Sequence, residues 1–105
     1  MSTEQQEVLR AKVNMETSRI HWKELQRFFA SGVAVVVSPK LDLVEVAFQM
    51  HSDNTAQFEA WLVAGTIAKV SDELAAAWLA ADLEVWAVVV SPWVLIQEIK
   101  APVVH

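Results

Sequence analysis

The 105-residue chain contains no cysteine. Disulfides, thiolate nucleophiles and cysteine-based metal sites are thereby excluded, and the absence fits a reducing compartment, so a cytoplasmic protein is expected. Glycine occurs only at Gly32 and Gly65, which rules out a glycine-rich loop that turns several backbone N–H groups onto a phosphate. Proline occurs three times. With so little of either residue, the chain is neither disordered nor dominated by loops. His21, His51 and His105 lie far apart, and neither a His-Glu-x-x-His pattern nor a serine in a nucleophile elbow is present. No catalytic residue is therefore assigned. His51 with Asp53 is the one local pair resembling metal ligands, and a polar junction between helices explains it more simply, so no metal and no cofactor are expected. The first residues show no basic segment followed by an apolar one, and the longest near-apolar tract, 85–96, is broken by Ser91-Pro92. It is too short to span a bilayer, and neither a secretory signal nor a membrane partner is expected.

Basic residues are scarce after residue 40. Residues 1–40 hold six bases and four acids (+2), and residues 41–105 hold two bases and nine acids (−7), for a net charge of −5. That overall sign argues against general nucleic-acid binding. Lys23 and Arg27, with Arg19 nearby, would suit an acidic partner or phosphate, and a solvated helix face is the commoner explanation. The uneven charge would also suit two chains aligned head against tail.

What the chain has in abundance is apolar surface. Hydrophobic residues make up 54% of it, including Trp22, Trp61, Trp78, Trp86 and Trp93. A single domain of this length, spanning 1–105 with flexible ends at 1–2 and 101–105, has a limited interior. Part of this surface is expected against another chain, most simply in a two-fold homodimer, the alternative being that the tryptophans fill the core. The apolar density peaks at 84–99, with β-branched runs at 85–90 and 94–99 on either side of Ser91-Pro92. The first run lacks polar alternation and predicts a central strand buried on both faces. The second is a further strand, or a short helix capped by Ser91 with Pro92 at its first position.

Capping spacings and apolar periods place the other elements. Ser2 with Gln5, or Thr3 with Gln6, opens a helix over 3–17 with a stripe of Val8, Ala11 and Met15, and Leu9 and Val13 beside it. A break near 17–20 precedes a helix over 21–30 that buries Trp22, Leu25, Phe28 and Phe29. Residues 33–37 predict a buried strand. For 41–50 a helix capped by Asp42 is favoured over a strand. A helix from Asp53 or Asn54 buries Phe58, Trp61 and Leu62 and ends at Gly65. A short strand at 67–70 leads to a helix opened by Ser71-Asp72-Glu73, with Leu74, Trp78 and Leu79 inward. Residues 34–39 and 87–92 both read Ala-Val-Val-Val-Ser-Pro, either as a pseudo-symmetric pair or because valine fills buried strands well. The expected fold class is α/β (or α+β): a small sheet of three to four strands, largely parallel through helical crossovers, covered by about five helices.

Three blocks, Trp-Lys-Glu-Leu-Gln-Arg-Phe-Phe at 22–29, Leu-Asp-Leu-Val-Glu-Val-Ala at 41–47 and Pro-Trp-Val-Leu-Ile-Gln-Glu at 92–98, resemble a family of small bacterial proteins known as a domain of unknown function. The resemblance runs from about Leu9 to Glu98. It implies a bacterial cytoplasmic protein and carries over no activity, cofactor or catalytic residue. His21 departs from it, standing where a proline opening the second helix is expected.

If both Ser-Pro turns meet at one end of a parallel sheet, Ser38, Asp42, Ser91, Trp93, Gln97 and Glu98 line one ligand pocket. Glu98 stands out because a carboxylate within Val-Leu-Ile-Gln-Glu-Ile is costly unless paired. The blander account makes Asp42 a helix cap and puts Gln97 and Glu98 at a strand end. The leading expectation for function is a non-enzymatic protein-interaction module acting as a homo-oligomer or on another protein. The alternative is a small-molecule binder or enzyme using the Ser-Pro end of the sheet.

Overall fold

A computed structural model describes residues 3–99; both ends expected to be flexible, 1–2 and 101–105, lie outside the described residues. In chain order the elements are α1 (Thr3–Glu16), β1 (Ser18–His21), a 3-10 turn (Trp22–Leu25), α2 (Gln26–Ala30), β2 (Ala34–Val37), α3 (Leu43–His51), α4 (Thr55–Ala64), β3 (Ile67–Lys69), α5 (Asp72–Ala80), β4 (Glu84–Val90) and β5 (Trp93–Glu98). The strands form one mixed sheet in the order β1-β4-β5-β2-β3.

Helix starts follow the capping residues. Asp42 accepts from the backbone N–H groups of Val44 and Glu45, Asn54 from Gln57 and Ser71 from Leu74. Each supplies an oxygen to an N–H that the first turn cannot satisfy internally. Gly65 ends α4 at φ 75°, a left-handed conformation that suits a residue without Cβ.

The sheet differs from expectation in number and direction. It has five strands rather than three or four, and only β2 and β5 pair in parallel; β1–β4, β4–β5 and β2–β3 are antiparallel. Two causes account for this. One helical segment between strands restores the chain's direction, whereas the two helices α3 and α4 between β2 and β3 reverse it. In addition, β1 and β2 are not neighbours, because the tight β4–β5 hairpin inserts between them. The added strand, β1, occupies the supposed break near 17–20. Its sequence Ser-Arg-Ile-His carries little apolar signal because it is an edge strand with half its residues exposed. Residues 93–98 are a strand and not a helix, and the Ser91–Pro92 peptide at the hairpin turn is cis. Residues 41–50 are helical from Leu43.

Alternation along the central strands sends side chains to two separate cores. Val35 and Val37 of β2, Val88 and Val90 of β4 and Leu95 of β5 pack with Val13, Leu43, Val46 and Ala47 beneath α1 and α3. Ala34, Val85, Ala87, Val94 and Ile96 point the other way, onto Trp22, Leu25, Ala75 and Trp78. Trp22 is fully buried, donates its indole N–H to the Ala75 carbonyl at 3.1 Å and meets the Trp78 ring edge-on, with centroids 5.0 Å apart. Two of the five tryptophans thus fill the core, while Trp61, Trp86 and Trp93 are half-buried over the first core.

Three expected inward faces are displaced. On α1 the buried residue is Val13, with Leu9 half-buried, and the stripe of Val8 (69% exposed) and Met15 (85%) faces solvent. On α4, Phe58 and Trp61 are half-buried but Leu62 is exposed; on α5, Ala75 takes the inward place expected for Leu79.

Candidate functional site

Because β2 and β4 run in opposite directions, their Ser-Pro turns lie at opposite ends of the sheet. The six residues expected in one pocket therefore fall into pairs in three clefts. A joint Ser-Pro site is not what the strand directions build.

Asp42 and Gln97 share a cleft of about 230 Å³ on the α1/α3 face, walled by Asn14, Thr17 and Trp86. Its floor is a cross-strand row, Arg19 opposite Trp86 and Trp86 opposite Gln97. Arg19 is paired with Glu84 (2.6 Å) and its guanidinium carbon stands 5.6 Å from the Trp86 ring centroid. Gln97 is held by its amide nitrogen, which donates to the carbonyls of Ser38 (2.9 Å) and Leu41 (2.7 Å). A glutamine inside an apolar strand thus has a clear task. It donates to two carbonyls of the loop between β2 and α3: that of Leu41, and that of Ser38, which also accepts from the Leu41 backbone N–H at 3.0 Å. Asp42 is committed to capping α3.

Ser91 and Trp93 belong to a second cleft, of about 260 Å³, at the other end of the sheet, where the β4–β5 turn approaches the α3–α4 junction. Met50, Phe58 and Trp93 make it largely apolar, and Asp53, Asn54 and Thr55 form a polar rim. Asp53 holds φ 58° at the junction. The Lys69 ammonium lies 6.0 Å from the Trp93 ring centroid. His51 is exposed, and among the described residues no group of three His, Cys, Asp or Glu side chains converges as metal ligands would.

Ser38 and Glu98 flank the third cleft, about 170 Å³, on the opposite face of the sheet. Glu98 stands at the exposed end of β5 and accepts a 2.6 Å hydrogen bond from the Trp78 indole N–H. A strand end beside a buried indole donor removes the cost a carboxylate would carry deeper in the strand. The Ser38 hydroxyl accepts from the Lys40 backbone N–H.

Two features escaped sequence reasoning. One is a charged cluster at the β1–β4 corner: His21 lies 3.5 Å from Asp82 and 3.7 Å from Glu84, and Lys23 lies 3.9 Å from Asp82. Its members are near only through the β1–β4 pairing, which no local pattern announces. The other is the outer surface of α1, whose inner side is held by Arg10, paired with Glu45 and 4.1 Å from the Phe48 ring centroid. The stripe of Val8, Ala11 and Met15 was visible, but its direction was not.

Comparison with known proteins adds kinship. A family model described as "Protein of unknown function (DUF2288)" matches residues 8–98. The chain is also similar to the protein in the NMR solution structure of PA1075 from Pseudomonas aeruginosa, at 44% identity and a TM-score of 0.79, covering 100% of this chain and 98% of that one. No curated protein matches.

Proposed function

We propose that this chain, which belongs to the DUF2288 family of proteins of unknown function, acts as a non-enzymatic protein-interaction module in the cytoplasm and works as a homo-oligomer, most simply a two-fold dimer. The observation that carries this reading is the exposure of large apolar side chains on the helices: Val63 at 90%, Met15 at 85% and Val8 at 69%. Single exposed apolar residues are ordinary, but an aligned set on one helix is the pattern of a contact surface. The polar groups of the clefts point the same way, since Asp42, Gln97 and Glu98 are each engaged in holding the fold. Among the described residues no helix is long and apolar enough to cross a membrane.

Sedimentation equilibrium between about 1 µM and about 1 mM, a range that brackets micromolar dissociation constants, tests the reading. A mass that rises with concentration towards twice the chain mass is expected; a constant monomer mass would refute self-association. A second reading, a small-molecule binder, draws on the aromatic cleft beside Trp93. A native mass spectrum of the purified protein with a reproducible added mass, lost on Trp93→Ala, would favour it.

A further inference from the structure

Helix α1 has two apolar stripes on nearly opposite sides. At about 100° per residue Leu9 and Val13 point toward the sheet, and the line through Glu4, Val8, Ala11 and Met15 lies roughly 150° away. The inner stripe is packed, and Arg10 fixes the helix to α3 through Glu45 and Phe48. The outer stripe is thus presented on a helix already fully docked.

We infer that this outer stripe is the contact between two copies of the chain, their α1 helices packed antiparallel about a two-fold axis. The inference deepens the homo-oligomer reading and rests on it. Residues 4, 8, 11 and 15 are spaced four, three and four apart, the heptad seam that packs helix against helix. Ala11 in the middle lets the two backbones approach closely. Charge selects both occupant and direction. Glu4 and Lys12 border the same shallow groove around Val8. With Val8 of one copy against Ala11 of the other, an antiparallel pair sets Lys12 level with the second copy's Glu7, and the symmetry repeats the pairing. A parallel pair would set Glu4 beside Glu4 and Lys12 beside Lys12. Within its own chain Lys12 has only a long, exposed contact with Glu16, at 4.0 Å, so it is available to the second copy. Two 14-residue helices bury less than the roughly 1,200 Å² of a standard interface, and the association is correspondingly weak and exchanging.

The test combines Val8→Glu with Ala11→Cys. Val8 is exposed in the single chain, so the first variant keeps its fold, and it sets a fourth carboxylate among Glu4, Glu7 and Glu16. Its dimer dissociation constant by sedimentation should rise roughly tenfold or more. Since the chain has no cysteine, any disulfide in the second variant must join two copies. Ala11→Cys should cross-link on mild oxidation, and the control Val63→Cys, also at an exposed position but on α4, should not. A wild-type dimer unaffected by Val8→Glu, or equal cross-linking of both cysteine variants, would overturn the α1 contact and leave the homo-oligomer reading standing. A wild-type chain that stays monomeric throughout would overturn both.

Discussion

Replacing His21 by proline is expected to stabilise this protein relative to replacing it by alanine. His21 closes β1 and precedes the 3-10 turn with φ −72° and ψ 135°, inside the φ range a pyrrolidine ring imposes. The residue before a proline must be extended, and Ile20 lies in β1. What remains is the backbone N–H that proline lacks. The Trp22 N–H donates to the Leu83 carbonyl at 2.8 Å, continuing a register in which Ile20 faces Val85 and His21 faces Glu84. Hydrogen-bonded and non-hydrogen-bonded pairs alternate along an antiparallel ladder. His21 therefore sits at a non-hydrogen-bonded position, and its N–H points away from β4 across the open edge of the sheet. Nothing in the ladder is lost when it is removed.

The gain comes from the unfolded chain, which loses freedom, and amounts to about 0.4–1 kcal/mol. The imidazole's own contacts, at 3.5 and 3.7 Å to Asp82 and Glu84 with 42% of the side chain exposed, contribute at most about 1 kcal/mol. Alanine removes them equally, so the Pro-minus-Ala difference isolates the backbone. For a chain near 100 residues that difference should raise the melting temperature by about 2–8 °C, followed by tryptophan fluorescence and checked by urea unfolding. A proline variant less stable than the alanine variant would refute the reasoning, showing that the His21 N–H is used or that Ile20 cannot accept the ring.

Two further changes probe the interior. Gln97→Leu should keep the sheet but remove the side-chain donor to the Leu41 carbonyl and leave the Ser38 carbonyl only the Leu41 N–H, costing about 1–3 kcal/mol; urea unfolding measures the loss, and faster amide exchange at Lys40 and Leu41 locates it. Trp22→Phe removes the bond to Ala75 and leaves space beside Trp78, for a loss of about 1–3 kcal/mol; an unchanged denaturation midpoint would contradict the packing described for that core.

Much of the local structure was legible because its causes are local. Asp42, Asn54 and Ser71 cap their helices through atoms two or three residues away, and Gly65 closes α4 by its own φ. The apolar tract at 84–99 did mark the centre of the sheet, since β4 and β5 are flanked on both sides. Pairing was not legible in the same way. Whether β2 takes β1 or β5 on the side away from β3 depends on a hairpin that begins only at Glu84, and no periodicity in 34–37 encodes that. The candidate pocket failed for this reason: Asp42, Trp93 and Glu98 were grouped by assumed strand direction, and direction is a property of the whole sheet. On α1 the period of 3.6 fitted two stripes, and the burial of Val13, with Arg10 on Glu45 and Phe48, shows which one turns inward.

The strand order has a consequence for how the chain acquires its structure during synthesis. Two of the three interior strands, β4 and β5, are the last two made, and each earlier neighbour meets them across a long separation: Ser18 pairs with Ala87, and Ala34 with Val94. A nascent chain that has reached Leu83 can form only the β2–β3 pair, four residues against three, which is too little to persist in water. The valine-rich β2 and the edge strand β1 must therefore wait, unpaired, until the β4–β5 hairpin emerges to seat them both. Folding is then a late and nearly simultaneous closure of distant segments, with the loop-closure entropy of the whole chain falling on a single step.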